Sequence, residues 1–175
     1  SLTSFSFPNL KSASSFNLGS NASLGSFSCP VLENITSDLY VGSSAFLTSF
    51  YLPALKNAGS IRFSSVYIKT VSLPELTEVS SYFDFDTTYS LTSISAPKLI
   101  KTEDFIIGGY DIGLECEEIR SDLTSITFSS LARVENNFYI TCNEKLPTAL
   151  ATSLRDQVIS RDGIGGDILI TGNKP

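Results

Sequence analysis

A chain of 175 residues with net charge −6 and 17% charged residues has no clustered Lys and Arg of the kind phosphate binding needs, which argues against a nucleic-acid partner. It contains no His, Met or Trp, which excludes Ser-His and Cys-His catalysis and histidine-ligated metals. No apolar run approaches the ~18–20 residues of a membrane span, so no membrane insertion by this segment is expected, and no signal peptide is visible.

The chain opens on a nine-residue segment, Leu2 to Leu10 (LTSFSFPNL), that it rewrites five more times. The later copies begin at Leu24, Leu47, Ile68, Leu91 and Leu123, so the steps are 22, 23, 21, 23 and 32 residues. Each copy has apolar residues at positions 1, 4, 6 and 9, with small polar residues between them. Repetition at this period is the signature of a solenoid. Position 7 is proline five times (Pro8, Pro30, Pro53, Pro74, Pro97) and Ser129 in the last copy. Proline has no N–H and ends ladder pairing, so it is expected where the coil turns a corner. The chain begins inside a repeat with no capping element, from which a longer parent chain is expected.

A second apolar pulse follows in each copy: Phe16/Leu18, Leu39/Val41, Ile61/Phe63, Phe83/Phe85, Phe105/Ile107 and Phe138/Ile140. One residue separates the members of each pair, the period of a half-buried strand. Between the two pulses lies one more inward candidate: Ala13, Ile35, Ala58, Val79, Thr102 and Val134. Nothing in between has the length or spacing of a helix. The expected fold is all-β in the main: a right-handed parallel β-solenoid of about six coils of 21–23 residues with two sheets, over residues 1–145.

The long last step contains an insertion, residues 108–122, expected to project as a loop and to join in ligand contact. Cys116 lies in it, and Cys142 follows the equivalent strand of the next coil. Neighbouring coils bring these positions together, so a Cys116–Cys142 disulfide is expected, with two free thiols as the alternative. Cys29 holds an inward position and reads as a small buried hydrophobe. Residues 146–175 form a C-terminal cap of the same domain. Leu146-Pro147-Thr148 starts a helix, with Ala149, Leu150, Leu154 and Val158 on one face. Asp167 to Thr171 is a final strand.

Stacked coils turn outward residues into columns. On the first sheet these are nearly all hydroxyls: Ser4, Ser26, Ser49, Thr70, Ser93, Ser125, and beside them Ser6, Ser28, Tyr51, Ser72, Ser95, Thr127. They read as a solvated face. The column on the second sheet varies instead: Asn17, Tyr40, Arg62, Asp84, Ile106, Tyr139, flanked by Asp38, Tyr82, Asp104 and Asp86. Tyrosine and arginine are enriched at recognition surfaces, and an exposed Ile106 serves no folding need. The candidate ligand-binding residues are therefore Tyr40, Arg62, Tyr82, Asp84, Asp86, Asp104, Ile106 and Tyr139. Asp84, Asp86 and Asp104 also raise glycosidase-like acid–base work or a cation, but neither has a diagnostic spacing. No catalytic residue, metal or cofactor is assigned. Asn21-Ala22-Ser23 and Asn34-Ile35-Thr36 match glycosylation sequons.

The repeated L-x-S-[FVI]-S-x-P-x-L with a second short strand resembles the receptor L-domain group, a β-helix variant of the leucine-rich repeat. That group includes ligand-binding domains of hormone-receptor ectodomains, fungal cell-wall proteins and surface-anchored bacterial proteins. The segment from Cys142 to Asn173 resembles the closing segment of secreted repeat proteins of predatory and gliding bacteria. No cysteine-rich module accompanies the repeats, which sets the chain apart from the hormone receptors. The resemblance implies an extracellular or cell-surface location and a non-enzymatic recognition or adhesion module for a surface glycan or protein. The alternatives are a structural wall or fibre component acting as a rigid spacer and, more weakly, a carbohydrate-active enzyme.

Overall fold

A computed structural model describes residues 3–44, 46–109, 116 and 121–175. It is a mainly β structure whose strands pair in parallel into a β-solenoid. The first-sheet strands are β1 (Ser4–Ser6), β4 (Ser26–Ser28), β6 (Ser49–Tyr51), β8 (Thr70–Ser72), β11 (Ser93–Ser95) and β14 (Ser125–Thr127). The second pulse forms β3 (Phe16–Asn17), β5 (Asn34–Ser44), β7 (Asn57–Val66), β10 (Tyr82–Thr88), β13 (Asp104–Ile107) and β16 (Phe138–Thr141).

Register follows the sequence repeat. Ser4 pairs with Ser26 and Ser26 with Ser49, while Asn17, Tyr40, Arg62, Asp84, Ile106 and Tyr139 are successive partners along the second sheet. Positions 1 and 9 are fully enclosed from the second copy onward, as are the paired apolar residues of β5, β7 and β10. In the first copy Phe5, Leu10 and Phe16 are only partly covered and Phe7 is 37% exposed.

Three features of the stack differ from the sequence reading. The inward candidates between the pulses form a third row of two-residue strands: β2 (Ser12–Ala13), β9 (Glu78–Val79), β12 (Lys101–Thr102) and β15 (Arg133–Val134). In coils two and three this row is continuous with the second-sheet strand, as the lengths of β5 and β7 show. A coil therefore has three strand pieces rather than two.

The stack makes about four turns, slightly fewer than the six copies. The first-sheet strands also form two separate ladders, β1-β4-β6 and β8-β11-β14. The break coincides with the shortest step. Two residues separate Asn21 from Leu24, Ser44 from Leu47 and Thr88 from Leu91, but Tyr67 alone separates Val66 from Ile68. In the longer corners the leucine N–H donates to the carbonyl three residues back, at 2.9 Å for Leu24, 3.3 Å for Leu47 and 3.4 Å for Leu91. The shortened corner has no room for that turn.

In the cap a helix takes the place of the first-sheet strand. The helix α1 (Thr148–Ile159) lies against the β14 side, where Gln157 Nε2 donates to the carbonyls of Phe128 and Leu131, both at 2.9 Å. After it, β17 (Gly163–Ile164) extends the third row beside β15, and β18 (Ile168–Thr171) extends the second sheet beside β16. The buried helix residues are Ala151, Leu154 and Val158; Leu150 is 42% exposed and Ala149 is exposed, so the packed face is rotated from the expected one. Pro147 fixes the helix start, and the bonds Thr148 N–H to Lys174 O (2.7 Å) and Lys174 N–H to Leu146 O (2.9 Å) tie the helix start to the chain's end.

Both corner devices are visible in the hydrogen bonds. At the proline corner the position-9 N–H donates to the position-6 carbonyl in all six copies, from Leu10 to Phe7 (3.3 Å) through Leu131 to Phe128 (3.2 Å). Proline thus sits at the second position of a β-turn, where its fixed φ is already correct. The opposite corner has a column of left-handed residues: Ser20 (φ 57°), Ser43 (47°), Ser65 (54°), Thr87 (50°), Gly108 (115°), Cys142 (57°) and Gly172 (65°). In four of these coils the next residue closes the strand end with its side chain. Asn21 Nδ2 donates to Gly19 O (3.0 Å), Ser44 Oγ to Leu18 O (3.0 Å), Asn143 Nδ2 to Ile107 O (3.0 Å) and Asn173 Nδ2 to Ile140 O (2.7 Å).

Candidate recognition face

The eight candidate residues do share one sheet face, but three of them, Asp104, Ile106 and Tyr139, are buried. Rungs two to four carry the accessible ones. Tyr40 and Arg62 are half-buried and Tyr82 is 37% exposed. Arg62 Nη2 meets Asp38 Oδ1 at 3.4 Å, and its guanidinium carbon lies 5.0 Å from the centre of the Tyr82 ring. These contacts fix the direction of the guanidinium, though each is exposed enough to add little stability.

Towards the C-terminal end the face closes. Ile106 has no accessible surface, Asp104 retains 5% and Tyr139 9%, which corrects the expectation that they are exposed. These rungs lie beside the 108–122 excursion, which is held at Cys116 by a disulfide to Cys142 with Cα atoms 5.1 Å apart. Ile106 is thus an apolar residue that is buried although its strand position points outward. The expected contact role of the excursion falls largely on residues 110–115 and 117–120, outside the described residues.

The three carboxylates do not form a common site. Asp104 Oδ1 accepts from Asn137 N–H (3.1 Å) and Asn137 Nδ2 (3.0 Å), which holds the next coil in place. Asp86 Oδ1 accepts from Thr87 Oγ1 at 2.8 Å. Asp84 Oδ1 is shut off from solvent and has no hydrogen-bond partner among the described residues. Burial, then the neighbouring Asp86 charge, push its carboxyl up to about 7, against the opposing pull of Arg62. Among the described residues no group of three or more Cys, Asp or Glu side chains is placed to hold a metal ion. Cys29 is enclosed as expected, and burial raises its thiol to about 11, far from a reactive thiolate.

Beside the accessible half lies a groove of about 320 Å³, bounded by Ser15, Asn17, Ser37, Asp38, Tyr40 and Arg62. Asp38 and Asn17 stood in the predicted columns without being chosen. The glycines next to them were missed altogether. Gly19 lies two residues after Asn17 and Gly42 two after Tyr40, the same-face spacing of a strand. A Cβ on Gly42 would overlap the Tyr40 hydroxyl, and one on Gly19 would lie 2.9 Å from Tyr40 Cε1.

No helix among the described residues is long and apolar enough to cross a membrane. The disulfide is consistent with an oxidising location. Comparison with known proteins gives no matching family model, no matching curated protein and no matching solved structure.

Proposed function

We propose that this chain is a non-enzymatic recognition or adhesion module of the receptor L-domain type, displayed outside the cell and binding a glycan or a protein on a partner surface. One observation carries the reading. The inward columns repeat apolar residues from coil to coil, whereas the accessible second-sheet column changes at every rung, from Asn17 to Tyr40 to Arg62. Folding alone asks nothing of those outward positions, and tyrosine and arginine are the side chains that contribute most at interfaces. The engagement of Asp86 and Asp104 by Thr87 and Asn137 supports a non-enzymatic role, since it ties both carboxylates into the fold.

The test replaces Tyr40, Arg62 and Tyr82 together by alanine. Attachment of the chain to cells or extracted cell-surface material should fall at least ten-fold while the melting temperature stays within a few degrees. Attachment that survives the triple change would point to the rigid-spacer role instead.

A further inference from the structure

The tyrosine in the groove lies down on the sheet. Side chains on a strand ordinarily stand away from the sheet plane. Tyr40 instead runs along the face: its hydroxyl and Cζ occupy the space above Gly42 that a Cβ would take, and its Cδ1 and Cε1 lie over Gly19. Gly42 is buried although it points outward, and Tyr40 is only half-buried. The Cδ1–Cε1–Cζ side of the ring therefore lies against the two glycines, and the half-buried ring keeps part of its surface open to solvent. Two glycines on adjacent rungs make this posture possible; any other residue at 42 would lift the ring.

The rim of this platform is polar and carries both kinds of hydrogen-bonding group. Asn17 Oδ1 accepts from Gly19 N–H at 2.9 Å, which fixes the orientation of its amide. Asp38 and Arg62 neutralise one another and are both half-exposed, so they offer an acceptor and a donor without net charge. The hydroxyls of Ser15 and Ser37 complete the edge.

We infer that the Tyr40 platform binds a neutral pyranose sugar. A pyranose presents an apolar C–H face that stacks on a flat aromatic ring and a circumference of hydroxyls that both donate and accept. The site has that same division: an apolar floor and a mixed, uncharged rim. A peptide side chain would need an anchoring pocket with depth, which a ring lying on backbone does not offer. An anionic ligand would have to displace Asp38 from Arg62. This assignment rests on the recognition role proposed above and narrows its partner to a sugar.

Saturation-transfer NMR of the chain with free glucose, galactose, mannose and N-acetylglucosamine, together with a neutral-oligosaccharide array, tests it. At least one sugar should receive saturation on its ring protons. Tyr40→Ala should weaken that binding at least ten-fold, and Tyr40→Phe should retain it within about three-fold. Gly42→Val, which raises the ring without removing any polar group, should match Tyr40→Ala, with Gly42→Ala as a milder variant if the valine form melts early. Tyr51→Ala, on the other sheet, should change nothing. Absence of binding to every sugar, or binding indifferent to Tyr40→Ala and to the Gly42 variants, overturns the proposal. Whole-cell attachment separates the two levels. Loss on periodate oxidation of the partner surface supports the sugar. Loss with Tyr40→Ala but survival of periodate keeps the recognition face and refutes the sugar. Attachment unaffected by Tyr40→Ala refutes both.

Discussion

The rings of Phe63 and Phe85 lie face to face in successive coils, their centroids 4.8 Å apart and their planes within 7° of parallel. Both are fully enclosed, and stacking continues on the same sheet from Phe83 to Phe105 (5.5 Å) and from Phe105 to Phe138 (5.2 Å). Phe63→Ala is expected to cost about 3–5 kcal/mol and Leu55→Ala about 2–5 kcal/mol, through the cavity each leaves. Thermal unfolding of either variant checks this; an unchanged midpoint would contradict the register.

Ser129 is the one corner residue that breaks the proline rule. Its turn has the same Leu131 N–H to Phe128 O bond as the proline-bearing copies, and the bond to the preceding coil there comes from Ser130 N–H, to Pro97 O at 3.0 Å. Ser129→Pro should therefore stabilise the fold by about 0.4–1 kcal/mol, by restricting the unfolded chain. Denaturant melts should show a higher midpoint with an unchanged slope. A lower midpoint would mean that this corner differs from the other five.

Asp84 should make stability depend on pH. Its folded pKa, about 7, lies above the ordinary carboxylate value of 3.8, so between roughly pH 4 and 7 the native state holds a proton that the unfolded state has released. Stability should fall as pH rises through that window, by at most roughly 4 kcal/mol at about 1.4 kcal/mol per pH unit. Asp84→Asn should flatten the fall and be the more stable form at pH 8. Equal slopes for the two proteins, measured by urea unfolding from pH 4 to 8, would remove Asp84 as the cause.

Reduction should loosen the C-terminal half of the face selectively. The Cys116–Cys142 bond closes a loop with a sequence separation of 26, and cross-links of that span are worth about 3 kcal/mol in the chain-entropy account. The Cys116→Ser, Cys142→Ser pair should lower the melting temperature. Hydrogen exchange should rise at β13 and β16 while β5 and β7 stay protected. Uniform exchange along the stack would mean that the bond does not act locally.

The apolar repeat made the coil legible, because burying one face of a strand fixes the identity of every second residue. Leu24, Leu47, Leu55 and Phe63 were readable for that reason. The one-residue shortening at Tyr67 was in plain view as a step of 21, but its effect on the first-sheet ladder depends on corner hydrogen bonds that the repeat pattern does not encode. The left-handed column was hidden because it is filled by Ser, Thr and Cys rather than by Gly or Asn alone, so composition gave no sign of it. On the recognition face, residue type pointed to Tyr40, Arg62 and Tyr82. It could not distinguish them from Ile106 and Tyr139, since outward parity on a strand does not say whether something lies on top. Gly19 and Gly42 were legible in principle through their spacing from Asn17 and Tyr40, had small residues been given the same weight as large ones.

The split between β6 and β8 gives the stack an unequal build. The second sheet runs unbroken from β3 to β18 and acts as a spine, whereas the opposite flank is jointed beside Tyr67. The first-sheet ladder is thus interrupted at a level where the second sheet is continuously paired, β7 with β10. The groove around Tyr40 and the disulfide-anchored rungs lie on the spine, one on each side of the joint's level. Their spacing is therefore set by the continuous ladder from β5 to β16 and not by the interrupted one.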